Sequence, residues 1–268
     1  MTAPALPDHF SPSAADTFES CPRKWHAKYV LKVADEAGPA AEVGTMTHEL
    51  LEELCVNPPG GRTPEAAKVI SDRLWADMQL NQRRSAWGHV VRALQNLEVT
   101  HGDVVSVEER LRVDLAGVPF LGMLDRVDAL PSGAVRVLDY KTGKRNAGRG
   151  NVYLLPKKRT LMLYAAAYEA VHGRPVQEAA LVWTATGKVD DFDVDDVEIA
   201  GAVRWLRMMW GELEHAVEVD EFEARPGPLC SWCPAAGDCP EGQASIAERV
   251  AAGKSVGSFG VPDGDDVA

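Results

Sequence analysis

The chain has 268 residues, long enough for one large domain or two small ones. Its 46% hydrophobic and 25% charged residues are the proportions of a soluble globular protein, and no stretch approaches the ~18–20 consecutive apolar residues of a membrane helix. A net charge of −12 works against a broad nucleic-acid-binding surface, so affinity for phosphate backbones would have to come from local basic stretches. The first residues, Met-Thr-Ala-Pro-Ala-Leu-Pro-Asp, have neither a basic n-region nor an apolar h-region, and five cysteines is an odd number without an export signal. The expected setting is a reducing cytoplasm, without disulfides and without a membrane.

Residues 1–10 read as a loose leader. Ser11-Pro12-Ser13 has the composition of a helix start, with serine as cap and proline in the first turn. Helix is predicted over 11–30, interrupted at Cys21-Pro22, and Gly38-Pro39 marks a turn. Met46, Leu50, Leu51 and Leu54 recur at helical spacing and predict an amphipathic helix over 44–55. The loop Asn57-Pro-Pro-Gly-Gly-Arg-Thr-Pro64 follows, then two more helices over 64–81 and 85–100. The period then changes to two. Residues 104–115, 118–130 and 134–141 alternate as strands, separated by Ala116-Gly117 and Pro131-Ser132-Gly133 turns. Helix returns over 158–172, strand over 178–186 and a long helix over 196–217. A Pro-Gly-Pro break at 226–228 precedes a cysteine-rich end, and the Gly- and Asp-rich residues from Gly257 onward are expected to be disordered. The order predicts an α/β fold with a mixed central sheet. A single domain over 11–240 would unite the helical start with the cysteine segment, leaving 241–268 as a partly disordered tail.

Gly122-Met-Leu-Asp125-Arg-Val-Asp128 falls on the second strand and Val137-Leu-Asp139-Tyr-Lys141-Thr-Gly on the third. Residues two apart on a strand share a face, so Asp139 and Lys141 point the same way. If the two strands pair as a hairpin, Asp125 comes beside Asp139 and a hard divalent cation, Mg²⁺ or Mn²⁺, fits between them. Such a cation would polarise a phosphoryl oxygen and lower the pKa of bound water, while Lys141 would orient that water or neutralise charge developing on the phosphate. His48, in Gly44-Thr-Met-Thr-His48, would add a third ligand from a helix, with Glu52 on the same face as support or as a further ligand.

Cys230, Cys233 and Cys239 form a C-x2-C-x5-C run, and Cys21, in Glu-Ser-Cys-Pro, is the distant fourth. An all-thiolate shell suits a soft metal centre, either iron–sulfur or zinc. One distant cysteine plus three clustered ones favours the cluster, since zinc sites more often pair two C-x2-C knuckles. Cys55 lies on the apolar side of its helix and reads as core, and Trp232 as packing that shields the centre. Between Tyr140 and Thr160 there is no acidic residue, while Lys141, Lys144, Arg145, Arg149, Lys157, Lys158 and Arg159 supply seven positive charges. Arg23, Lys24, Lys28 and Lys32 form a second patch. Both adjoin the motifs and are candidates for a phosphate-backbone track.

Taken together, Gly-Thr-x-x-His, Gly-x-x-Asp-Arg-Val-Asp and Asp-Tyr-Lys-Thr-Gly, with the cysteines outside them, resemble the RecB-type branch of PD-(D/E)xK nucleases. Within it the match is to the subgroup carrying an iron–sulfur cluster, the small CRISPR-associated exonucleases and the AddB nuclease domain. The resemblance spans about residues 11–240 and implies a restriction-endonuclease-like core. It also implies metal binding by His48, Asp125 and Asp139 with help from the Tyr140 carbonyl, a catalytic Lys141, and a [4Fe–4S] cluster on Cys21, Cys230, Cys233 and Cys239. Such nucleases often place Gln four residues before a helical Tyr. Here Tyr164 follows Thr160, which leaves Tyr164 either a substrate contact or a core aromatic.

The implied activity is a Mg²⁺- or Mn²⁺-dependent DNA exonuclease acting from ends and preferring single strands. The alternative is a catalytically quiet iron–sulfur DNA-binding subunit of a repair or CRISPR-adaptation complex, and the presence of His48, Asp125, Asp139 and Lys141 together favours the enzyme. No G-x-x-x-x-G-K-[ST] occurs, so a helicase would be a separate partner, as would a CRISPR integrase. CRISPR spacer acquisition, recombinational repair and phage DNA processing all fit the motifs.

Overall fold

Proline opens five of the described helices, where its missing N–H costs nothing. In the computed structural model, which describes residues 5–34, 38–145 and 150–256, α1 (Pro12–Ser20) is capped by Ser11, whose hydroxyl accepts from the Ala14 N–H. α2 (Pro22–Tyr29) follows after one extended residue, Cys21. α3 (Pro39–Cys55), α4 (Pro64–Leu74), α5 (Leu80–Ala93) and α6 (Leu97–His101) precede the sheet. The strands are β1 (Asp103–Leu115), β2 (Val118–Ala129), β3 (Val135–Lys141), β4 (Val176–Trp183) and β5 (Lys188–Asp193). α7 (Gly150–His172) joins β3 to β4, and α8 (Asp196–Val219) follows β5. Two short 3₁₀ turns, Cys230–Trp232 and Ala236–Asp238, lead into α9 (Pro240–Ala251). Arg149, the first four residues of the leader and the stretch from Gly257 onward lie outside the described residues.

The chain divides into two compact units, Met1–Glu36 with Leu206–Ala268, and Ala37–Trp205. The second holds a five-stranded sheet in the order β1-β2-β3-β4-β5. Only β3 and β4 pair in parallel, as the helical crossover α7 requires, and the other neighbours are antiparallel. α3 has two apolar faces. Met46, Leu50 and Leu54 join Ala67, Ile70, Trp75, Ala86 and Val90 of the helical layer, while Leu51 packs with Leu138, Tyr140, Ala180 and Val182 of the sheet. This double burial fixes the helix that carries His48. In the first unit, Phe18 meets Trp25 edge-on at 5.9 Å, and Phe222 stacks on Trp25 at 6.1 Å and on His26 at 4.3 Å.

The first three strands, β1, β2 and β3, lie within one residue of the sequence prediction, whereas β4, expected over 178–186, runs over Val176–Trp183. The helix expected over 158–172 begins at Gly150, with Pro156 inside it. β5, Lys-Val-Asp-Asp-Phe-Asp, was not predicted, because an exposed edge strand of this polarity has no apolar alternation to read. α9 occupies the start of the segment expected as a tail. Among the described residues no helix is long and apolar enough to cross a membrane.

Candidate active site and cysteine site

Gly44 lets α3 approach the end of β3, since a Cβ there would lie 3.2 Å from Thr142 Oγ1. One turn on, His48 reaches the backbone of Tyr140, and its Nε2–H donates to the Tyr140 carbonyl at 3.1 Å. That leaves Nδ1 facing the carboxylates, 3.6 Å from Asp125 Oδ2 and 3.8 Å from Glu108 Oε1. Ligand atoms of His48, Glu108 and Asp125 lie within 4.8 Å of one another, close enough for one cation. Asp125 is fixed in turn, because its Oδ2 accepts from the Tyr140 N–H at 2.6 Å.

Glu108 was not among the residues predicted from sequence. The register of β1 on β2 runs Val107↔Arg126 and Glu109↔Leu124, which places Glu108 opposite Asp125. It sits at φ 44°, a left-handed conformation costing a non-glycine residue about 1–2 kcal/mol. The readable signal was two consecutive acids, Glu108 and Glu109, in the middle of an alternating strand.

The hairpin of β2 and β3 forms as expected, and Arg126↔Leu138 puts Asp125 next to Asp139 in register. Asp139 is 4% exposed. Its Oδ2 lies 2.5 Å from Lys141 Nζ as an ion pair. Burial, reinforced by Asp125 and opposed by Lys141, pushes the Asp139 carboxyl up to about 6. Burial works against charge on His48 and Lys141 as well, but their carboxylate neighbours outweigh it. His48 rises to about 10, and Lys141 is held above the usual lysine value chiefly by Asp139. Two carboxylates and one imidazole, with the Asp139–Lys141 pair beside them, suit a hard cation such as Mg²⁺ or Mn²⁺, although Asp139, expected as a ligand, is not among the residues that converge. Glu52 lies one turn beyond His48, and burial and Glu108 raise its carboxyl.

Tyr164 is half-buried, its ring lying over Gly122 of β2, and the Thr160 hydroxyl donates to the Pro156 carbonyl of its own helix. The basic residues after β3 are engaged within the unit. Arg145 makes a forked pair with Asp190, Lys158 pairs with Glu198, Lys157 Nζ sits 3.9 Å from the centre of the Tyr153 ring, and Arg159 stacks 3.3 Å from that of Trp205. Lys144 is exposed.

In the other unit, Cys21, Cys230, Cys233 and Cys239 line one small cavity, with all four thiols free. Cys21 and Cys239 each precede a proline-led helix, α2 and α9, so two helix N-termini face this site. The Arg225 N–H lies 3.4 Å from Cys21 Sγ, the Gly227 N–H 3.2 Å from Cys230 Sγ and the Gly242 N–H 3.3 Å from Cys239 Sγ. Gly242 has little alternative, as a Cβ would lie 3.2 Å from the Cys239 sulfur. Trp232 is 47% exposed and does not shield the sulfurs as expected, whereas the buried Ala236 lines the cavity. Cys55 is buried in the sheet-bearing unit, as predicted.

A mixed five-stranded sheet and the helix α3 bring His48, Glu108 and Asp125 together beside the Asp139–Lys141 pair, which defines an α/β protein with a candidate metal site. The chain belongs to the PD-(D/E)XK nuclease superfamily, whose family model matches residues 9–240. Among solved structures, a putative exonuclease from Eubacterium rectale is similar in fold, with a TM-score of 0.58 and 15% identity, covering 86% of this chain and 88% of its own. A second, SSO0001, also 15% identical and covering 88% of each chain, has a TM-score of 0.44 and carries no weight here. Comparison with the curated proteins finds no match.

Proposed function

We propose that the chain is a metal-dependent deoxyribonuclease that hydrolyses phosphodiester bonds from DNA ends, with single strands the better substrate, and that its four cysteines hold a [4Fe–4S] cluster. The observation that carries the nuclease reading is the convergence of His48, Glu108 and Asp125 beside the Asp139–Lys141 pair, within a chain of this superfamily. A divalent cation held there supplies Lewis acidity toward the scissile phosphate. Tyr140 positions two of the ligands, through its N–H and its carbonyl. Lys141 stays protonated beside Asp139 and is one-third exposed, so it neutralises charge developing on the phosphate. In the other unit, four cysteines, three of whose sulfurs are met by backbone N–H groups, together with two helix N-termini suit an anionic iron–sulfur core. When bound, the cluster cross-links residue 21 to the segment from Cys230 to Cys239.

The test compares linear and covalently closed circular single-stranded DNA of one sequence, with Mg²⁺ or Mn²⁺ and with EDTA. Cleavage of the linear strand alone, lost with EDTA and in Asp139→Ala or Lys141→Ala, is expected. Equal cutting of the circle would make the enzyme an endonuclease, and undiminished activity in either variant would place the active site elsewhere.

A further inference from the structure

Arg23 stands two residues after Cys21, and Glu241 two residues after Cys239, each in the first turn of its helix. Their side chains meet at 2.6 Å, between Arg23 Nη1 and Glu241 Oε2. Both also face the Cys239 sulfur, which accepts from Arg23 Nη1 at 3.8 Å and, as a thiol, donates to Glu241 Oε2 at 3.6 Å; bound to iron it would have no proton to give and would face the carboxylate as a like charge. One cysteine sulfur is therefore in contact with a cation and an anion at once. The backbone donors to Cys21, Cys230 and Cys239 form a fixed background that side-chain substitution leaves in place.

Resting on the iron–sulfur reading above, we propose that Arg23 and Glu241 set the reduction potential of the cluster through the Cys239 sulfur, Arg23 raising it and Glu241 lowering it. Reduction adds one electron to an already anionic centre, and no bond forms or breaks. A neighbouring positive charge and a donor to sulfur favour the added electron, while a neighbouring carboxylate opposes it. A pair that merely ties α2 to α9 makes a different prediction. Breaking it from either side would then loosen the site in the same way.

The full chain, prepared without oxygen, is titrated with dithionite while its visible absorbance and the paramagnetic signal of the reduced state are followed. Arg23→Gln is expected to move the midpoint to a more negative potential, Arg23→Lys to stay near the parent, and Glu241→Gln to move it to a more positive one. Shifts of the same sign, or none, in variants that keep their absorbance would overturn this inference and leave the iron–sulfur reading standing. If Arg23→Gln loses the cluster outright, Glu241→Gln against Glu241→Lys decides: the charge reversal should move the midpoint further positive than the neutral change, whereas a broken tie gives the two the same shift. A colourless, iron-free parent protein after anaerobic preparation would sink both.

Discussion

His48 and Asp125 are held by the same peptide-bearing residue: Tyr140 accepts from His48 Nε2 at 3.1 Å through its carbonyl and donates to Asp125 Oδ2 at 2.6 Å through its N–H. A histidine whose second ring nitrogen is fixed by a backbone carbonyl has its ring plane set, and Nδ1 is the nitrogen left to give up its proton to a cation. The Tyr140 ring points into the core, its hydroxyl 3.4 Å from Arg126. Its contribution to the site is therefore that of its backbone, which ties His48 on the helix to Asp125 on the strand.

Glu108 is expected to be a ligand and its neighbour Glu109 not. Glu109 is engaged by the Ser106 hydroxyl and by His172 Nε2, away from the site. Glu108→Gln should weaken Mn²⁺ binding by at least ~10-fold and depress cleavage in step, while Glu109→Gln leaves both near the parent level. Calorimetric titration with Mn²⁺ checks it, and equal losses in the two variants would show that Glu108 holds no cation.

Metal affinity should rise with pH. Without a cation, burial opposes the His48 charge, yet Asp125 and Glu108 outweigh it and the imidazolium persists to about pH 10. A cation bound through Nδ1 must displace that proton, so between about pH 6 and pH 10 affinity should gain roughly tenfold per unit. Below about 6 the buried Asp139 carboxyl also holds a proton, and the dependence should steepen. The sign for stability is consistent. A raised histidine pKa stabilises the metal-free fold fully below its unfolded value and is lost as pH climbs through about 10. The melting-temperature gain from Mn²⁺ should therefore widen from pH 6.5 to pH 10, and a gain that narrows would refute the coupling.

Most of this site was readable from strand periodicity. Asp-x-Lys and Gly-x-x-Asp sit on strands whose alternation is plain, and a hairpin leaves few ways to align them. Glu108 escaped because its left-handed backbone breaks the alternation that would have assigned its face. The engagement of Arg145 and Lys158 escaped for another reason. Their partners, Asp190 and Glu198, lie 45 and 40 residues away on elements whose placement only the folded sheet decides. The four cysteines were legible by spacing, whereas the donors to their sulfurs are backbone groups that sequence does not display.

Gly122, three residues before Asp125, should tolerate no side chain. A Cβ there would lie 3.0 Å from the Phe120 ring and 3.2 Å from the Tyr164 ring. Gly122→Ala should cost about 1–3 kcal/mol by overpacking, and Tyr164→Ala in the same chain should recover part of it. Urea denaturation of the two single variants and the double one measures the coupling. Strictly additive costs would mean that the Tyr164 ring does not press on this strand.

The face of β2 opposite Asp125 carries Arg126 and Asp128. Arg126 is fully buried and forks onto Asp128 at 2.6 and 2.8 Å, with a third bond from Nη1 to the Val99 carbonyl at 2.9 Å. Removing one member of such a pair strands a buried charge, so Asp128→Ala should cost roughly 3–5 kcal/mol. Replacing both, as Arg126→Met with Asp128→Leu, removes the charge along with its partner and should recover much of that loss. The metal site should survive in the double variant, because Asp125 is held by the Tyr140 N–H and not by Arg126. Urea denaturation and Mn²⁺ titration of the single and double variants separate these effects. A cost below ~1 kcal/mol for Asp128→Ala would contradict the buried-charge argument. A folded double variant that no longer binds Mn²⁺ would show instead that the pair serves to aim Asp125, and the Asp-Arg-Val-Asp motif would then be one functional unit across both faces of its strand.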